Sequence, residues 1–399
     1  MESKLVSPTC FAYVLFCGAI AAAQTTAPTP TAEAAPAFDG TFRPSDTKGV
    51  EEAYLETLFR SSHAANLVKL RNGDLLCFWF SGTREGDSNV AIVMSRLTKG
   101  SERWSKTTEI DHQDGRSFQN PVAFQTSKGS LWLLHTSQPA GQWQANAEVL
   151  YLTSKDAGRT WTTPHPLFTQ PGSFIRHPPV LISTNDWLLP MYYTPGHSIT
   201  DGAESNYSAV KMTSDGGKDW KECKVPQSNG LVQQSVVRLA NGHFLGFFRS
   251  RYADFIYKNS SKNGCEWTAP TPTRLPNNNS SIQAAMLDDG SLVLAFNNSS
   301  AHVTRDKTGA SARKPLSIAL SRDGGENWPW VRDIETGSPS GHDGAAHEEY
   351  SYPSLLQDAN GKINVAYTYR RETIKVVRFD EEWIKQGKTE GKFKGDGEN

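Results

Sequence analysis

Arginine recurs in this chain directly after short apolar runs. Arg249 and Arg251 follow Phe244-Leu-Gly-Phe-Phe248, and Arg370 and Arg371 follow Ile363-Asn-Val-Ala-Tyr367. Arg84, with Glu85 and Asp87, follows Leu75-Leu-Cys-Phe-Trp-Phe80. A guanidinium presents a planar fork that matches a carboxylate, so arginines gathered in one place predict an acidic ligand. A second set of polar residues stands just ahead of apolar runs: His63, Asn120, Arg176, His177, Gln233, Gln234, Ser281, Tyr350 and Tyr352. His63 carries chemistry of its own, since an imidazole with a pKa near ~6.5 serves as general base or acid around neutrality.

These two sets meet only if the apolar runs are strands of one repeated unit. Ser321-Arg-Asp-Gly-Gly-Glu-Asn-Trp328 has copies at Ser154-Lys-Asp-Ala-Gly-Arg-Thr-Trp161 and Thr213-Ser-Asp-Gly-Gly-Lys-Asp-Trp220. A worn copy, Ser260-Ser-Lys-Asn-Gly-Cys-Glu-Trp267, has Lys262 where the Asp belongs, and a fainter one ends at Trp104. The tryptophans are spaced 57, 59, 47 and 61 residues apart, the length of a four-stranded propeller blade. In each box the Asp accepts turn amides, a Gly supplies positive φ and the Trp anchors the hairpin, so the boxes report architecture and not chemistry. Between them lie inner strand pairs joined by Asn-Gly or Asp-Gly type turns, beginning near Ala64, Pro121, Pro179, Ser235, Ile282 and Pro353. Six pairs predict an all-β, six-bladed β-propeller. In a propeller, the start of each innermost strand and the end of the next border one mouth of the central channel, and this brings the two polar sets together.

The 399 residues carry a net charge of −1, which points to neither a nucleic-acid nor an anionic-membrane partner. Residues 1–23 read as a secretory signal, with Lys4, an apolar Leu5–Ile20 stretch too short to span a membrane, and Ala21-Ala-Ala23 before the cleavage point. Residues 24–45 read as a Thr/Ala/Pro-rich linker, 46–384 as the propeller and 385–399 as a disordered tail. The expectation is a secreted monomer without membrane insertion. Of the three cysteines left after cleavage, Cys77 sits in an apolar run and reads as core, while Cys223 and Cys265 lie near box turns of neighbouring blades and can pair. No metal-ligand spacing, phosphate-binding glycine loop or nucleophilic serine signature is present, so no cofactor or metal is expected.

The boxes, the secretory start and the inner-strand pattern resemble the sialidase (neuraminidase) superfamily of BNR/Asp-box repeat propellers, over about residues 51–383. Ser61-Ser-His-Ala-Ala, Gly82-Thr-Arg-Glu-Gly and Glu349-Tyr-Ser-Tyr-Pro-Ser are similar to a branch of predicted neuraminidases. The resemblance implies three arginines on a substrate carboxylate, a Tyr nucleophile polarised by a Glu, and an Asp acid/base. Tyr352 falls where the nucleophile belongs and Asp87 near the acid/base position, with Arg313 and Arg249 or Arg251 as carboxylate arginines. A Tyr suits this chemistry because a neutral nucleophile is not repelled by a carboxylate on the anomeric carbon. Two positions depart from the pattern. Ser62-His-Ala-Ala65 stands where the family has Phe-Arg-Ile-Pro, and Gln233 stands where the polarising Glu is expected.

The function expected is a secreted exo-glycosidase of sialidase type acting on a glycan with a terminal acidic sugar. The catalytic set is Asp87, Tyr352 and His63, and the substrate-binding set is Arg84, Arg249, Arg251, Arg313, Arg371 and Gln233. One alternative is a hydrolase or lyase on uronate- or rhamnose-capped polysaccharide with His63 as base. Another is a glycan-binding propeller without catalysis.

Overall fold

The structure, a computed structural model, describes residues 36–142, 144–196, 203–300, 313–337 and 348–387. The expected signal at 1–23 lies outside the described residues, as do most of the linker and most of the tail.

Six antiparallel sheets form the blades of a β-propeller. Blade 1 runs Ser61–Lys69, Leu75–Gly82, Ala91–Leu97 and Thr108–Asp111, from hub to rim. Blade 2 runs Arg116–Gln125, Leu131–Pro139, Glu148–Ser154 and His165–Phe168. In blade 3 the innermost position is broken into Ser173–Phe174 and Val180–Leu181, both paired with Trp187–Tyr193, and Tyr207–Thr213 and Lys221–Lys224 follow. Blade 4 comprises Leu231–Arg238, Phe244–Ser250, Phe255–Ser261 and Thr271–Pro276. Blade 5 comprises Gln283–Met286, Leu292–Asn297, Leu316–Ser321 and Trp330–Glu335.

Blade 6 closes the ring. Its own strands are Tyr350–Gln357, Ile363–Tyr369 and Thr373–Phe379, and the amino-proximal Glu51–Tyr54 and Arg43–Pro44 complete its outer edge. Pairing the two ends of the propeller in one sheet makes the ring resistant to opening at a seam, and it draws the last residues of the expected linker into the fold. A short helix, Glu381–Lys385, follows where the sequence predicts the tail to begin.

The core is divided among the blade–blade seams. Leu76 and Phe78 of blade 1 meet Leu131 and Leu133 of blade 2. Phe124 and Leu134 of blade 2 meet Trp187 and Leu189 of blade 3, and the pattern continues round to blade 6 against blade 1. The boxes bind their own turns as expected. Asp323 accepts from the Glu326 and Asn327 amides at 3.1 and 2.9 Å, and Ser321 Oγ accepts from Gly325 N at 2.9 Å. Gly217 needs its positive φ of 92°, and a Cβ there would stand 2.8 Å from the Trp187 ring. In the worn copy the roles fall one residue later than the sequence alignment suggests. Ser261 Oγ takes the Gly264 amide, and Asn263 Oδ1 takes those of Cys265 and Glu266, so an amide oxygen does the work of the missing carboxylate. Cys223 and Cys265 form a disulfide between blades 3 and 4, and Cys77 is a buried free thiol.

Candidate active site

Four innermost strands share one irregularity at the same height. Two residues oppose one at Ala64-Ala65, Asn120-Pro121, Gln233-Gln234 and Tyr352-Pro353. The first of each pair is left-handed, with φ of 61°, 48°, 53° and 55°. A bulge of this kind costs about 1–3 kcal/mol for a non-glycine residue and re-aims its side chain, here toward the hub. Asn120, Gln233 and Tyr352 are thereby turned into the channel mouth, whereas in blade 1 the aimed residue is Ala64. His63 stands one residue earlier and turns into the wall.

A cavity of about 210 Å³ opens at this end of the hub, opposite the boxes. Cationic Arg249, Arg251, Arg313 and Arg371 line it, with Glu85 and Tyr352 among them. Gln119, Asn120, Gln144, Tyr192 and Gln233 form its amide and hydroxyl wall. The Tyr352 hydroxyl accepts a hydrogen bond from Arg249 Nη1 at 2.5 Å. The guanidinium carbons of Arg176, Arg249 and Arg313 stand 5.3, 5.7 and 5.4 Å from its ring centre. Burial alone would raise the phenol, but Arg249 and Arg313, with a hydrogen bond from Gln233, bring it down to about 8.

Arg176 lies under this floor, 1% exposed. It donates to the carbonyls of Tyr352 (3.0 Å), Pro353 (3.2 Å) and Ala65 (3.1 Å) and to Ser281 Oγ (3.1 Å), so it bolts the bulges of blades 6 and 1 together. Burial pushes it down to about 10, which leaves it cationic at neutral pH.

The sequence-predicted residues are placed as follows. Tyr352, Gln233, Arg249, Arg251, Arg313 and Arg371 come together on the cavity wall. Gln233 Oε1 accepts from Arg249 at 3.3 Å and its Nε2 donates to the Tyr192 hydroxyl at 3.3 Å, so it joins the wall as a hydrogen-bonding amide. His63 is 2% exposed, packs on the Tyr352 ring at 4.2 Å and pairs with Thr368 Oγ1 at 2.8 Å. Burial, then Arg371, pushes its pKa well below the usual value, and its ring lies outside the cavity lining as a support for Tyr352. Arg84 is not in the cavity wall: its side chain is 81% exposed and pairs with Asp87 at 3.3 Å. Asp87 stands outside the lining too, on the loop whose Glu85 does line it.

Glu349 is the functional neighbour that the sequence reading passes over. Its carboxylate takes Arg313 Nη1 at 2.6 Å and Arg371 Nε at 2.9 Å, and Arg371 reaches on to Glu85 at 2.7 Å. Burial acts to raise this carboxyl, but Arg313 and Arg371 hold it well below the usual range. Its place directly before the Tyr-Ser-Tyr of the innermost strand is the available signal. Tyr192, at the end of a second strand, satisfies the same positional rule that picks out Arg249 and Arg371.

Six blades around a cationic, tyrosine-bearing mouth define a sialidase-like propeller. The family model for the BNR repeat-like domain matches residues 73–365, and the chain belongs to that family. Among solved structures, the Hadza microbial sialidase Hz136 is similar with a TM-score of 0.65 at 16% identity, over 82% of this chain and 67% of that one. The NanB sialidase of Streptococcus pneumoniae gives 0.66 at 14% identity, over 82% and 70%. The intramolecular trans-sialidase of Ruminococcus gnavus gives 0.66 at 14%, over 83% and 97%. At these identities the likeness is one of fold. A comparison with curated proteins finds no match.

Proposed function

We propose that the chain is a secreted exo-glycosidase of sialidase type, which removes a terminal sugar whose anomeric carbon bears a carboxylate. The observation that carries this reading is the buried Tyr352 phenol, brought down to about 8 and facing a cavity walled by four arginines. The sugar carboxylate docks against the guanidinium forks of Arg249, Arg313 and Arg371. Tyr352 Oη then bonds to the anomeric carbon as the bond to the glycosidic oxygen breaks, and Asp87, on the loop whose Glu85 lines the cavity, gives that oxygen its proton. Glu85 is the less suitable donor because Arg371 holds it at 2.7 Å, a closer pairing than that of Asp87 with the exposed Arg84 at 3.3 Å. Water next attacks the anomeric carbon, gives its proton to Asp87 and releases Tyr352.

Gln233 cannot take the phenol proton, so activation falls to electrostatics. Arg249 and Arg313 favour the phenolate directly, a preorganised field in place of a general base. The same guanidinium groups offset its repulsion by the substrate carboxylate, so the nucleophile need not be neutral as expected from the sequence. The alternative with His63 as base finds no support in the geometry, since that ring is sealed beneath Tyr352. The disulfide between Cys223 and Cys265 supports an oxidising, extracellular setting. Among the described residues, no helix is long and apolar enough to cross a membrane.

The test is fluorophore release from a panel of aryl glycosides of carboxylate-bearing sugars. The wild-type chain is expected to turn over at least one of them, and Tyr352→Phe to lose that turnover while still binding the sugar. Binding without turnover of any panel member by the wild type would reassign the chain to glycan recognition without catalysis.

A further inference from the structure

The charges around the cavity do not balance, and the imbalance is confined to one side. On the side of blades 5 and 6, Arg313 and Arg371 share Glu349, and Arg371 also holds Glu85, so two guanidinium groups face two carboxylates. On the side of blade 4, Arg249 meets only neutral partners: Asn279 Oδ1 at 2.9 Å, Gln233 Oε1 at 3.3 Å and the Tyr352 hydroxyl at 2.5 Å. Arg251 has no carboxylate partner among the described residues, and its buried Nε has no hydrogen-bond partner. Burial and the neighbouring Arg249 push Arg251 down to about 10, which still leaves it charged at neutral pH. Ionisation of Tyr352 supplies Arg249 with a counter-charge, but nothing among the described residues supplies one to Arg251, and a buried cation without a partner is costly unless a ligand provides it.

A sugar carboxylate held by Arg249, Arg313 and Arg371 leaves Arg251 without a counter-charge. The cavity, about 210 Å³, is smaller than the ~300–1,000 Å³ typical of drug-sized sites, which suits recognition of a terminal sugar whose remainder extends into solvent. Resting on the reading above, we infer that the preferred terminal sugar carries two anionic groups. The carboxylate lies on Arg249, Arg313 and Arg371, and a tetrahedral oxyanion ester, sulfate or phosphate, lies on Arg251. Arg251 is then the residue that decides specificity. Its position just beyond the Phe244–Ser250 strand, beside the neutral amide and hydroxyl wall, places no carboxylate of the protein in competition with the ester.

The test is calorimetric binding to the intact chain. The probes are N-acetylneuraminate, its singly O-sulfated and singly O-phosphorylated forms, and glucose sulfate as a carboxylate-free control. One charge-assisted fork predicts that a doubly anionic sugar binds about tenfold to a hundredfold tighter than the parent acid. In Arg251→Gln that ratio is expected to fall to about one, with Arg251→Lys in between, circular dichroism confirming that each variant is folded. Whichever ester binds more tightly identifies the oxyanion. Equal or weaker binding of both esters than of the parent acid overturns the inference and leaves the proposed function standing. Equal binding of glucose sulfate and the sulfated sugar acid removes the carboxylate from recognition: the reading of the site as one for a sugar acid fails while the Arg251 site stands. Binding of none of the probes overturns both.

Discussion

Replacing Arg249 by Met tests how the nucleophile is activated. The Tyr352 phenol sits at about 8 against an ordinary 10, even though burial works in the opposite direction. The net effect is about a hundredfold in the phenol–phenolate equilibrium, roughly 2.7 kcal/mol. Arg249 and Arg313 together supply more than that, because they first offset burial. Arg249 is the larger contributor and donates directly to the hydroxyl at 2.5 Å, whereas Arg313 shares its charge with Glu349 at 2.6 Å. Methionine keeps most of the stem volume and removes the charge. The Tyr352 phenol in Arg249→Met is therefore expected to titrate at about 10 or above. The assay is ultraviolet difference titration of the folded variant against the same variant carrying Tyr352→Phe, so that only this tyrosine is read. With an activated aryl leaving group that departs without a proton from Asp87, wild-type kcat/KM should climb with pH up to about 8 and level off above it, since ionisation of the phenol creates the attacking form. A Tyr352 titration in Arg249→Met that stays within roughly 0.3 of the wild-type pH would refute the electrostatic argument.

Two further outcomes follow from the same contacts. Glu349→Gln leaves Arg313 and Arg371 facing each other without their shared carboxylate, and chemical denaturation should show a loss of roughly 3–5 kcal/mol. Because the folded Glu349 carboxyl is held below its unfolded value, its stabilising contribution is complete above about pH 4.5 and is lost as the pH falls through the lower folded value. The wild type should therefore lose stability in acid more steeply than Glu349→Gln, and parallel acid profiles would contradict this. The disulfide closes a loop of 42 residues in sequence separation, worth about 4 kcal/mol by chain entropy. A Cys223→Ser, Cys265→Ser double variant should melt correspondingly lower, and an unchanged Tm would show that the blade 3–blade 4 seam holds without the bond.

The blades were legible in the sequence because each box makes its hydrogen bonds within a few residues of itself. Even there, the substitution of Asn263 for a box aspartate shifted the pattern by one residue, which only the turn geometry reveals. The mouth of the hub was legible as a place but not as an arrangement. The rule that inner strands begin there located Tyr352, Gln233 and Arg249 correctly on the cavity wall. It could not distinguish His63 from Ala64, because a bulge is set by register with the neighbouring strand and leaves no local mark. Arg84 and Asp87 follow a strand as Arg371 does, yet a loop holds both outside the cavity lining, with Arg84 in solvent and Asp87 half-buried, and nothing in their spacing signals the difference. Glu349 was hidden because its importance lies in two arginines far away in the chain or on another strand. The closure of blade 6 by Glu51–Tyr54 likewise depends on a pairing across more than three hundred residues.

The most direct test of the central claim is peptide mass spectrometry of the intact chain after reaction with a fluorinated, slowly hydrolysed glycosyl fluoride of a sugar acid. The account predicts one added sugar acid on the peptide that contains Tyr352, and none in Arg249→Met at neutral pH. An adduct on any other residue, or none on the wild-type protein while the substrate is being hydrolysed, would contradict it.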